Sequence, residues 1–364
     1  MNNEPLVSII LPTFNSEKFI KKTIESLLMQ SYKNYEIILI DNNSTDRTVE
    51  IIKEFIKKGK LKIVLLKNKH RNLSLSLNMG IKKANGKYIM RMDSDDYALK
   101  NRIKESVRFL KKNPNIKLIG SNILLTYYGL KIKKIMPKSY DSILSSICFM
   151  NPFIHPTIMF DKDIINNTGL YNTKNSYSED YEYWSRVIKE HKVSNLQKIT
   201  LNYNININQV SKINNNSKIE EIYKIQSNLL KYFKIDLKNQ FHEIHKNLIN
   251  VTAFNYNYKT NYKIFLKNCL FFFELNKLNK ETNSFEVISF NKVQLILLFN
   301  ICLYFSNHGL KIFYNFLRIY NKYIPSIRIG RHYFYLFFIC FLRIKNVKIK
   351  KYINLQFSNT IYKN

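Results

Sequence analysis

Short apolar runs alternate along this chain with segments whose apolar positions recur every three or four residues. Residues 7–11 form the first run and Pro12 closes it, as expected of a buried strand and its stop. Ser16 or Asn15 can then cap a helix with Phe19, Ile20, Ile24, Leu27 and Leu28 on its apolar side. Residues 35–40 predict a second strand ending in Asp41, and Thr45 or Asp46 opens a helix carrying Val49, Ile52, Phe55 and Ile56. A third strand is expected over 61–66, a third helix through Leu73, Leu77, Met79 and Ile81, and a fourth strand over 87–92. Strands and helices alternating through short loops predict an α/β fold, a mostly parallel sheet with helices on both faces. Ligands bind such open sheets beyond the carboxyl ends of the strands. Three polar clusters stand there: Thr13 with Asn15, then Asp41, then Asp93, Ser94, Asp95 and Asp96.

Further on, 116–121 reads as a strand, 124–128 with 131–135 as a hairpin around Gly129, and 157–160 as another strand. His155, held extended before Pro156, either touches a ligand or packs. Ser178, Glu179 and Asp180 open a helix that carries the chain's only tryptophan, Trp184, one turn later. From residue 219 to the end the pattern is helical. The Asn-rich stretch 214–218 separates a domain of residues 1–213 from a mainly α-helical region of residues 214–364.

Three carboxylates in four residues repel one another unless a cation lies among them, and an all-oxygen cluster suits Mg2+ or Mn2+ better than zinc. The competing reading is a solvated turn in which Asp96 caps a helix over 97–112. Asp41 is equally good turn chemistry. For Glu179 and Asp180, a helix dipole alone accounts for acids at a helix start. The functional reading is a general base taking a proton from a hydroxyl, with Trp184 walling the pocket or stacking on a sugar face. His242 and His245 are one residue short of the zinc-protease spacing, and a surface or core place suits them better. There is no Gly-x-Gly-x-x-Gly, P-loop or Gly-x-Ser-x-Gly, so kinases, dehydrogenases and ordinary hydrolases lose their signatures.

The chain has 364 residues with a formal charge of +32, and no Asp or Glu follows Glu286. Such acid-free, aromatic and basic helices suit either an anionic membrane interface or a small helical domain with solvated lysines. Nucleic acid is the rival partner, without a recognisable reading module. Four isolated cysteines read as reduced core residues of a cytoplasmic protein. No run reaches the ~20 residues of a spanning helix, and secretion or membrane crossing is not expected.

Five stretches in one order resemble the inverting glycosyltransferases of family 2, with the GT-A fold. They are Val7-Ser8-Ile9-Ile10-Leu11-Pro12-Thr13-Phe14-Asn15; Ile40-Asp41-Asn42-Asn43-Ser44; Leu77-Asn78-Met79-Gly80 leading into Asn85-Gly86-Lys87; Met92-Asp93-Ser94-Asp95-Asp96; and Glu179-Asp180-Tyr181-Glu182-Tyr183-Trp184. The resemblance covers about the first 210 residues and implies sugar transfer from a nucleotide donor, usually a UDP-sugar, to a glycan or lipid-linked acceptor. It places Pro12, Thr13, Asn15, Asp41 and Asp93 at the nucleotide, and Asp95 with Asp93 at Mg2+ or Mn2+. Asp180 would be the base with Glu179 beside it, and Trp184 and His155 would stand at the acceptor. Together with the isolated cysteines and the basic C-terminal helices, this leads to the expectation of a cytoplasmic enzyme, peripheral on the inner face of the membrane. Where the family often has Tyr-Arg-x-His, this chain reads Tyr203-Asn204-Ile205-Asn206, which leaves the diphosphate to other groups such as His155 or Arg71. Asn72 stands where Gly is usual, and Asn204 and Asn206 make a catalytically weak or inactive sugar-nucleotide binder the alternative.

Overall fold

The computed structural model describes residues 4–59, 62–127, 130–175, 177–204, 216–237, 239–252, 261–323, 327, 332–344 and 346–363. These form two compact units, residues 1–140 with 151–212 and residues 141–150 with 213–364. The segment 141–150, expected in the first domain, therefore groups with the second. The expected boundary at 213/214 lies outside the described residues, as do Asn206, Gly129 and Leu61.

The first unit opens with β1 (Val7–Thr13), α1 (Ile20–Leu28), β2 (Tyr35–Asp41), α2 (Thr48–Lys57), β3 (Ile63–Lys67), α3 (Leu73–Lys83) and β4 (Tyr88–Arg91). It continues with β5 (Tyr97–Ala98), α4 (Arg102–Lys112), β6 (Ile116–Tyr127) and β7 (Leu130–Lys134). After α5 (Tyr140–Ile147) come β8 (Met159–Asp161), α6 (Ile165–Thr168), α7 (Glu179–Glu190) and β9 (Lys192–Asn204). The sheet runs β3-β2-β1-β4-β8-β6-β9-β5, with β7 on β6. The β3-β2-β1-β4 half is parallel, β6 and β9 are parallel to each other, and β8 runs antiparallel between β4 and β6. Helices cover both faces. Ile20, Ile24 and Leu27 of α1, Ile52 and Phe55 of α2, and Ile103, Val107 and Leu110 of α4 share a core with Val7, Ile9 and Leu11. On the opposite face α3 comes so close that a Cβ on Gly80 would stand 2.6 Å from Ile10 Cγ2 and 2.9 Å from Ile40 Cδ1.

Four local expectations are corrected. β1 runs through Pro12 to Thr13; β4 ends opposite Ile10, so the missing N–H costs no ladder bond on that side. Asp96 caps no helix: residues 97–98 form a strand against β9, and α4 starts only at Arg102. The 116–121 and 124–128 runs are one long strand bent by register shifts against β9. Residues 155–157 form a 3-10 turn rather than an extended segment and strand start.

The second unit holds α8 (Asn216–Tyr232), α9 (Asn239–Thr252), α10 (Tyr262–Thr282), α11 (Val287–Phe305), α12 (Leu310–Tyr323), α13 (His332–Phe341) and α14 (Val347–Lys363). Contrary to expectation, among the described residues one helix, Val287–His308, is long and apolar enough by length and composition to cross a membrane. Scattered Asn291, Lys292, Gln294 and Asn300 disguise the run in the sequence. Most of it is buried within the structure, the arrangement of a core helix.

Candidate active site

Parallel pairing brings the ends of β1, β2 and β4 to one edge. There the loops are tied together by side chains. Asn15, in the left-handed region at φ 44, accepts from the Thr45 N–H through its Oδ1 (2.9 Å), and its own N–H donates to Ser44 Oγ. Asp41 accepts from the Ser44 N–H at 3.1 Å, so the turn-forming reading of that residue holds in the structure. Thr13 is buried, and its Oγ1 has no hydrogen-bond partner among the described residues. Asn72 is extended and caps α3, accepting from the Leu75 N–H at 2.8 Å, so an asparagine at the usual glycine position costs no backbone strain. The positive φ falls instead on Arg71, whose guanidinium lies 4.9 Å from the Phe14 ring centre.

The acidic loop after β4 is held from below by α1. Thr23 Oγ1 donates to the carbonyls of Ser94 and Asp96, Ser26 Oγ accepts from the Ala98 N–H, and Gln30 bonds Leu99 O and the Ile103 N–H. Thr23, Ser26 and Gln30 are spaced in phase with the apolar Ile20, Ile24 and Leu27. Polar residues on a buried helix face were the signal by which the sequence could have revealed this support. Oxygens of Asp93, Asp95 and Asp96 lie within 4.8 Å of one another. Asp96 is 2% exposed; Oδ1 accepts from the Asn204 N–H at 3.0 Å and Oδ2 has no partner among the described residues. Burial and then Asp93 push the Asp96 carboxyl well above the ordinary range. A buried, unsatisfied oxygen among like charges fits a hard divalent cation.

The acid pair sits at the first two positions of α7. Asp180 Oδ2 accepts from Asn151 Nδ2 at 2.8 Å and Oδ1 from the Tyr181 N–H at 2.7 Å. Burial raises the Asp180 pKa, while these two donors and Arg91 oppose the rise. Burial, reinforced by Asp180, pushes Glu179 up to about 8. His155, 8% exposed, places Nε2 3.1 Å from Tyr171 Oη and Nδ1 3.9 Å from Glu179 Oε1. Burial and then Arg91 hold His155 well below its usual pKa, so burial favours the neutral form of both this imidazole and the carboxyl it faces. Trp184 is fully buried, edge-on to Phe153, His155, Tyr171 and Tyr183. Of the two expectations for this ring, its burial does not suit stacking on a sugar and leaves that of a wall, placed behind His155.

The unexpected residue is Arg91, the last of β4. Its guanidinium is ion-paired with Asp93, and its charge reaches Asp96, Glu179, Asp180, His155 and Tyr171. The two acidic clusters thus share one buried cation, which a lone arginine in an apolar strand could have announced. Arg102 fixes the same corner, donating to Arg91 O (2.6 Å) and Pro156 O (2.5 Å). Asn78 of α3 exchanges two hydrogen bonds with the backbone of Tyr171.

A sheet of this order, carrying an acidic triad beyond β4, is the architecture of GT-A-fold transferases. The fold is similar to that of Staphylococcus aureus TarS 1–349 in complex with UDP-GlcNAc (TM-score 0.52, 16% identity, 98% of this chain and 90% of that one). It is also similar to mannosyltransferase PcManGT from Pyrobaculum calidifontis in complex with GDP-Man and Mn2+ (TM-score 0.51, 13% identity, 78% and 76%). Residues 8–140 match the model of glycosyl transferase family 2. Over 246 residues the chain is 32% identical to an uncharacterized glycosyltransferase of Haemophilus influenzae, covering 64% of this chain and 76% of that protein. It is 30% identical to the Escherichia coli UDP-Glc:alpha-D-GlcNAc-diphosphoundecaprenol beta-1,3-glucosyltransferase WfaP, covering 62% and 86%. The chain belongs to glycosyl transferase family 2 and is a glycosyltransferase.

Proposed function

We propose that this glycosyltransferase inverts the transferred sugar, taking it from a UDP-sugar and delivering it to a hydroxyl of a glycan or lipid-linked saccharide at the cytoplasmic face of the membrane. The observation that carries the reading is the buried Asp180, fixed by Asn151 and joined through Arg91 to the triad after β4. Pro12, Thr13, Asn15 and Asp41 edge the nucleotide site, where the unpartnered Thr13 hydroxyl is free for a base or ribose atom. Asp93, Asp95 and Asp96 would hold Mg2+ or Mn2+, which offsets the charge growing on the departing diphosphate. Asp180 takes the acceptor proton on the opposite side of the sugar from the diphosphate, as inversion requires. Burial and the neighbouring Asp180 push Glu179 further up than Asp180, whose rise is opposed by the Tyr181 N–H, Arg91 and Asn151, which favours Asp180 as the base of the pair. His155, neutral and backed by Trp184, edges the acceptor side and excludes water.

The companion acceptor named for WfaP, a diphosphoundecaprenol saccharide, supports a lipid-linked acceptor here. The test is transfer from a panel of UDP-sugars with Mn2+. Asp180→Asn should lose roughly 10²–10⁴-fold in kcat while still binding UDP by calorimetry, and Asp95→Ala should lose Mn2+-dependent UDP binding. Full activity in either variant removes its assigned role. Asn204 favours a second reading: it meets Asp96 through its backbone N–H, where a cationic side chain is usual. An inactive binder would take up UDP with no turnover on any acceptor.

A further inference from the structure

Helix α13 is rich in apolar residues, and among its described side chains the buried ones share one side. His332, Leu336, Ile339 and Cys340 are buried; His332 Nε2 is 3.0 Å from Thr360 Oγ1 and its ring lies edge-on to Phe357. Tyr335, Phe338, Phe341 and the following Leu342 are 39%, 53%, 57% and 61% exposed. Their spacing of three, three and one residues puts all four on one helix face. A core helix would bury such residues and an ordinary surface helix would replace them with polar ones. Other exposed apolar side chains of this unit, Leu270 and Tyr314 among them, stand on different helices.

The charge of the flanking sequence points to its partner. In sequence the helix is bracketed by Arg328 and Arg331 on one side and by Arg343, Lys345 and Lys348 on the other, and no acid occurs after Glu286. Aromatic side chains between flanking cations match a bilayer that offers hydrocarbon at one depth and phosphates just above it. We propose that the Tyr335-Phe338-Phe341-Leu342 face of α13 is a docking surface for an anionic lipid bilayer, entered by the aromatic rings beside the exposed Arg343, in a stretch of chain whose net charge is positive. The proposal extends the lipid-linked acceptor reading by naming the surface that brings the enzyme to such an acceptor.

The experiment is co-sedimentation of the full chain with phosphatidylcholine vesicles with and without phosphatidylglycerol. Salt is varied from about 0.1 M to about 1 M, over which the screening length falls from ~10 Å to ~3 Å. Wild type should partition onto the anionic vesicles, weaken with salt, and leave neutral vesicles nearly untouched. Phe338→Ser/Phe341→Ser should lose partitioning by roughly tenfold or more with thermal unfolding and UDP binding unchanged. Arg343→Gln, which leaves the rings in place, should weaken binding at low salt only. Equal partitioning of the double variant overturns the proposal. So does a wild type that ignores vesicles while forming a dimer that the double variant breaks, or while binding DNA instead. Vesicle binding without sugar transfer sinks the catalytic reading and leaves this one standing; transfer to a soluble acceptor without vesicle binding does the reverse.

Discussion

At Asp180 the role proposed above meets two opposing demands: a base must be anionic to take a proton, and burial favours the neutral acid. Asn151, the Tyr181 N–H and Arg91 oppose the rise that burial imposes on Asp180, while Glu179 beside it is pushed further up. Glu179 moves from an ordinary 4.5 to about 8 in the fold. The native state therefore holds a proton that the unfolded chain gives up, and stability falls as pH rises across that window. Urea midpoints compared at about pH 5 and about pH 8.5 should fall in wild type and fall less in Glu179→Gln. Arg91 is tested by its removal. Arg91→Met strands Asp93 and both acidic clusters without their cation and should destabilise by roughly 3 kcal/mol, the low end for a buried pair because Asp93 is partly exposed. Arg91→Lys should recover much of that in urea unfolding.

At the scale of elements, the acidic loop is only as well placed as β4, and β4 is anchored by its first turn. Gly86 lies so close to β1 that an added Cβ would stand 2.6 Å from the Ser8 nitrogen, while its own N–H donates to Ser8 Oγ. Ser8 in turn donates to the buried Glu36, which also accepts from the Asn85 N–H and pairs with Lys62. Burial alone would raise the Glu36 carboxyl; the donors outweigh it and hold the pKa at about 2. A depressed native value contributes stability above the unfolded pKa and loses it as pH falls toward 2. Glu36→Gln should therefore flatten the acid limb of the stability curve. Gly86→Ala should cost about 1–3 kcal/mol in urea unfolding, since it meets backbone rather than a side chain that can swing away. The strand and helix periods announced β1 to β4 and α1 to α3 because each buries one face or stripe against the next. They misplaced α4 because the strand pairing of Tyr97 and Ala98 with Asn202 and Leu201 is a contact more than 100 residues away.

For the molecule as a whole, donor and cation should act as one ligand of the native state. UDP with Mn2+ in hundredfold excess over its Kd should stabilise by about 2.7 kcal/mol, read as a rise in Tm, and EDTA should abolish most of that rise together with any transfer. Local pattern was enough to determine the alternating α/β order, the acidic loop after the fourth strand, the acid pair at a helix start and the helical, acid-free C-terminal region, because each depends on neighbours a few residues apart. Only the tertiary structure decided that Asp96 joins the triad instead of capping a helix, that Trp184 backs His155 instead of facing a sugar, and that Arg91 sits between the two acidic clusters. Those outcomes depend on strands and loops brought together across about 30 to 110 residues, and the burial that shifts a carboxyl pKa or hides an indole exists only once that assembly has formed.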